Sequence, residues 1–147
     1  MVQNAFLVSS EDLSLEDIEA IARPLYPIVE IERDGLIVEL HGHALIRIYR
    51  QPGDKIGPPH GPEDIEEYRA LLKAEPVCCL ELYPLSCRRA EPWALLRDLL
   101  GHVMRRHHCI VYEDLGEKFH TLETLPDQFW RFRINKKPAE LPRRVLD

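Results

Sequence analysis

The sequence predicts an α+β fold: a mostly antiparallel sheet of five to six strands, braced on one face by two main helices. Three observations predict it. Strand-type runs crowd around tight turns between residues 27 and 50. Proline-opened stretches at Pro62 and Pro92 carry apolar residues at helical spacing. The 147 residues, 45% apolar and 30% charged, have the size and composition of a single globular domain. That domain is expected over residues 1–134, with a basic, proline-containing tail over 135–147.

Taken in order, residues 3–8 form a short apolar run that suits a first strand. Ser14, followed by Asp17 and Glu19, starts a helix, because a hydroxyl can cap free amides and early acids suit the helix dipole. Ile18, Ile21 and Ala22 give it a narrow apolar stripe, and Pro24 ends it. Ile28 to Arg33 then leads into Asp34-Gly35, read as a two-residue hairpin turn in which glycine supplies positive φ. Leu36 to Leu40 returns, His41-Gly42-His43 makes a second corner, and Ala44 to Tyr49 completes a three-stranded meander. Residues 51–62 hold four prolines and three glycines, which excludes regular structure.

Pro62 opens a helix to about Ala74, with Ile65, Tyr68, Leu71 and Leu72 as its stripe. Val77 to Tyr83 is near-continuously apolar, as a central strand would be. From Pro92, the residues Trp93, Leu96, Leu99, Leu100, Val103, Met104 and His107 recur over about four turns, making this the main brace across the sheet. His107 is expected as a hydrogen-bonded core histidine, and His102 is expected to face solvent. Cys109 to Tyr112 and Lys118 to Leu122 make a last hairpin, and a short helix is expected at 126–130. The order is β-α-β-β-β-α-β-α-β-β.

Net charge is −6, from 19 Lys and Arg against 25 Asp and Glu. General affinity for nucleic acid or an anionic membrane needs a cationic surface, so neither is expected as a partner. The charge is unevenly spread. Residues 1–40 hold nine acids and two bases, and residues 131–147 hold six bases and two acids. An acidic body with a short basic tail would be steered toward a basic partner, although a solvated surface and a loose terminus look the same. No run approaches the roughly 18 apolar residues that span a bilayer. The first residues lack the basic and long apolar regions of a secretion signal. A cytoplasmic chain is therefore expected, with Cys78, Cys79, Cys87 and Cys109 as reduced thiols.

Signatures of catalysis are missing. There is no GxSxG elbow, no GxxxxGK[ST] or GxGxxG phosphate cradle, and no CxxC pair. Cys109 lacks the arginine six residues on that a cysteine phosphatase loop needs, since Leu115 stands there. Cys87 precedes Arg88 and Arg89, which could depress a thiol pKa, although a loop cysteine beside two solvated arginines looks the same. Of enzymatic readings a zinc site is the best: His41 and His43 could leave one strand face, and His60, His120 or Cys109 could complete it. Two histidines at a hairpin corner are the commoner explanation, and cofactors are otherwise not expected.

Two groups suit partner binding. Glu30 and Glu32 share a strand face and Glu39 can sit across from them. Near the C-terminus Trp130, Arg131 and Arg133 interleave aromatic and cationic side chains, the residue types that dominate interface hot spots.

The stretch from Trp93 through Phe119 resembles the helix-then-hairpin ending of small bacterial α+β proteins, among them immunity proteins that neutralise delivered toxins. The resemblance implies a stoichiometric, non-enzymatic protein binder whose partner is a protein, for instance a basic toxin. A homodimer or structural module built on Phe129 to Phe132 is the remaining alternative beside the zinc enzyme.

Overall fold

The computed structural model describes residues 4–42, 44–51, 62–85, 91–113 and 118–125. The expected helix at 126–130, the tail over 135–147, the Cys87-Arg88-Arg89 triplet and most of the 51–62 segment lie outside the described residues.

Among the described residues seven strands and three helices form in the order the sequence suggests: β1 Ala5–Ser9, α1 Leu15–Ala22, β2 Ile28–Glu32, β3 Gly35–His41, β4 Ala44–Arg50, α2 Pro62–Leu72, β5 Cys78–Pro84, α3 Glu91–Arg106, β6 Cys109–Glu113 and β7 Lys118–His120. The strands make one antiparallel sheet in the order β2-β3-β4-β5-β1-β6-β7. The fold is α+β, with one or two strands and one helix more than expected.

Local chemistry explains the elements. Ser14 caps α1 in a reciprocal box: the Asp17 amide donates to Ser14 Oγ at 3.2 Å, and the Ser14 amide donates to Asp17 Oδ2 at 2.8 Å. The second bond holds the Asp17 carboxyl below its ordinary range. Glu91 lies in the first turn of α3 and Arg105 and Arg106 in its last, as the helix dipole favours. α2 ends at Leu72: the Lys73 amide still donates to the Arg69 carbonyl at 2.8 Å, and the positive φ of 55° at Lys73 turns the chain out of the helix.

Helices cover both faces of the sheet. α1 and α3 bury Ile18, Trp93, Leu96 and Leu99 against Leu36, Val38, Ile46, Ile48, Leu80 and Leu7. α2 lies on the other face, where Tyr68 and Leu72 pack on Phe6, Val8, Cys79, Ile110 and Tyr112. The expectation of both main helices on one face is thereby corrected. The physical reason is two-sided burial: β1, β5 and β6 carry apolar side chains at successive positions, so each face of these strands needs a cover. Neighbouring Cys78 and Cys79 belong to different cores, as alternation along a strand requires.

The first hairpin turns one residue earlier than expected. Arg33 and Asp34 make the turn, Arg33 takes the positive φ of 48°, and Gly35 pairs with Glu32 as the first residue of β3. The glycine serves a different purpose, because the Tyr49 ring lies over it. A Cβ there would stand 2.7 Å from Tyr49 Cε1.

Candidate functional site

Since α2 sits over β1 and β6, it leaves the far half of its face without a helix among the described residues. Val29, Leu36, Val38, Ile46 and Ile48 are buried under α1 and α3, so their neighbours along β2, β3 and β4 point the other way. The cross-strand register sets these neighbours in rows. Ile28, Glu39 and Leu45 form one, Glu30, Ile37, Arg47 and Tyr83 the next, and Glu32, Gly35, Tyr49 and Glu81 the third.

This face carries four carboxylates, Glu30, Glu32, Glu39 and Glu81, around Arg47. Glu30 and Glu32 are exposed and Glu39 is half-buried. Among the described residues no ion pair joins any of these three to a base. Glu81 is held by neutral donors, the Gln51 amide at 2.9 Å and the Tyr83 hydroxyl. Tyr83 packs edge-on against Tyr49, with centroids 5.6 Å apart, and burial together with the Glu81 carboxylate raises its phenol pKa. A depression of about 710 Å³ opens where Tyr49, Arg47, Ile37 and Glu32 meet the hairpin. The rows thus offer unneutralised carboxylates beside fixed aromatic rings, a surface suited to cationic side chains.

Other residues singled out from the sequence lie elsewhere. A register shift in β3 between Glu39 and His41 turns His41 toward α3, where its Nε2 lies 3.1 Å from Glu91 Oε2. His43 and His60 lie outside the described residues, as do Trp130, Arg131 and Arg133. Among the described residues no group of three or more His, Cys, Asp or Glu side chains is placed to hold a metal. His102 is half-buried, with Asp98 3.9 Å away, and burial lowers its pKa.

One cluster escaped sequence reasoning because its members lie about a hundred residues apart. The turn after β1 meets the turn before β6. His107 stands beyond the end of α3 rather than in the core, and its Nδ1 lies 3.1 Å from Glu11 Oε1. The His108 amide donates to the other Glu11 oxygen. These bonds, the amide first, hold the Glu11 carboxyl below its usual range. Ser10 Oγ lies 2.7 Å from His108 Nδ1, and Ser9 Oγ donates to the His108 carbonyl at 2.8 Å.

A serine beside an imidazole invites a nucleophilic reading, which needs a third group orienting the base and free amides to stabilise an oxyanion. Here the amides of Ser10, Glu11 and His108 are all engaged within the turns. The neighbouring thiols are suppressed. Burial pushes Cys109 up to about 12 and raises Cys78. The cluster ties two turns together, and the signal that could have found it is the local pairing of Ser9-Ser10-Glu11 with His107-His108 as polar runs at strand ends.

Family models, curated proteins and solved structures were all compared with the chain, and none matches. No helix among the described residues is long and apolar enough to cross a membrane.

Proposed function

We propose that this chain is a non-enzymatic protein-binding domain that presents the acidic half of its sheet, bare of helix among the described residues, to a basic surface of a partner protein, as an immunity protein covers a toxin. One observation carries the reading: Glu30, Glu32 and Glu39 gather on a single face beside Tyr49 and Tyr83, without ion-pair partners among the described residues. Such charges steer association and fix orientation, while the two rings supply rigid contact area.

Carbodiimide coupling in a lysate of the source cell, read by mass spectrometry, tests this. It should join Glu30, Glu32 or Glu39 to lysines of one partner at one-to-one stoichiometry. The double variant Glu30→Lys, Glu39→Lys should lose that product. A partner captured equally well by the variant refutes the reading, as does recovery of no stoichiometric partner.

A further inference from the structure

The open face ends at β2, an edge strand of the sheet. Its turn consists of Arg33 and Asp34, so Glu32 and Gly35 are the flanking pair. In a two-residue hairpin that pair, and every second residue before it, is hydrogen-bonded to the neighbouring strand. Glu32, Glu30 and Ile28 therefore turn their amides to β3, and Val29 and Ile31 direct their main-chain N–H and C=O groups outward. Among the described residues no strand accepts them.

Edges are normally blunted by shortness, charged side chains (lysine above all), proline or a bulge. Of these β2 has only Glu30 and Glu32, whose single sign repels acidic strands and leaves basic ones admitted. The opposite edge, β7, is only three residues long. β2 has five residues, no lysine, no proline and a regular register, and it exposes Ile31 at 36% and Ile28 at 39%. A second depression, of about 630 Å³, lies along it at Tyr26 and Ile28, so β2 is flanked by concave surface at both ends.

We propose that β2 is a docking edge to which an extended basic segment of the partner adds as an antiparallel eighth strand. This deepens, and rests on, the protein-binding reading. The lysines or arginines of the added strand face Glu30 and Glu32, and its alternate apolar side chains lie against Ile31 on the other side. Main-chain bonds give affinity and the alternating side chains give specificity.

Charge and Pro27 together decide against a second copy of the chain. Three two-fold registers pair the outward residues of β2 with themselves. Two of them put Glu30 directly opposite Glu30 or Glu32 of the other copy, which is destabilising. The third sets Ile31 opposite Pro27, which has no N–H to give. The same two glutamates that disfavour two of these registers select a cationic strand.

The test uses the full-length chain, labelled with nitrogen-15, and a nine-residue peptide of alternating lysine and valine. Titration should shift and protect the amides of Val29 and Ile31. A peptide of alternating glutamate and valine should not bind. Methylating the valine nitrogens of the basic peptide, or the substitution Ile31→Pro, removes ladder donors and should weaken binding about tenfold or more. The methylated peptide reports on unaltered protein, so the result stands even if Ile31→Pro fails to fold. Binding that is indifferent to methylation overturns strand addition yet leaves the acidic-face reading intact. Equal binding of the acidic peptide, or no binding of either, overturns the proposal. So does slow exchange at Val29 and Ile31 before peptide is added, which would mean the edge is filled by this chain or a second copy.

Discussion

Replacing Tyr68 by alanine tests the smaller of the two cores. Tyr68 is fully buried on α2, and its ring meets Phe119 edge-on with centroids 5.5 Å apart at 74°. Phe119 in turn packs against Tyr112, tilted at 49° with centroids 4.8 Å apart, and the Tyr112 ring lies 6.4 Å from that of Phe6. Truncating a buried aromatic costs about 3–5 kcal/mol, of which an edge-on pair accounts for roughly 0.5–1.5 kcal/mol. For a chain of this length that corresponds to a fall in Tm of roughly 10–15 °C. Urea unfolding followed by circular dichroism measures it. Tyr68→Phe keeps the ring and should lose no more than about 1 kcal/mol. If Tyr68→Ala costs less than about 1 kcal/mol, α2 does not seal the sheet face that carries Phe6 and Tyr112, and its placement away from the acidic half fails with it.

The remaining expectations concern the turns and thiols. Glu11 has a depressed carboxyl pKa, so its contribution is complete above the ordinary value of 4.5 and is lost as pH falls through the lower folded value. Glu11→Gln should therefore be modestly less stable than the parent at neutral pH and converge with it in acid; unfolding curves that stay parallel to low pH refute this. Cys109, pushed up to about 12, should hold thiolate at only about one part in ten thousand at pH 8, and maleimide should label it only on unfolding. Peptide mapping after native labelling would reveal a mistake. Arg33→Gly should stabilise the hairpin by about 0.5–1 kcal/mol, since arginine there holds a φ of 48°. Gly35→Ala should destabilise by about 1–3 kcal/mol, because its methyl meets the Tyr49 ring; thermal melts of both variants settle the pair.

The periodic elements were legible because their patterns are local. Ser14 with Asp17 marked the start of α1, and Trp93 to Met104 marked the buried side of α3. The face chosen by α2 was not legible in its own stripe. It follows from the unbroken apolar runs in β1, β5 and β6, which register only when the three strands are set side by side. The shared face of Glu30 and Glu32 followed from alternation, and Glu39 joined it across the hairpin despite the one-residue shift of the turn. His41 escaped that logic, since an irregularity in β3 reverses its direction. The pairing of Glu11 with His107 and His108 depends on contacts between distant segments, which no window on the sequence spans.

Strand β1 has a temporal consequence. It sits between β5 and β6, so the segment at residues 5–9 waits for partners made some seventy and a hundred residues later. On the ribosome it emerges early, and it stays without its second lateral neighbour until residue 113 has cleared the exit tunnel. The meander from Ile28 to Arg50 needs no such delay. Synthesis therefore yields the acidic half first, and the central seam closes last.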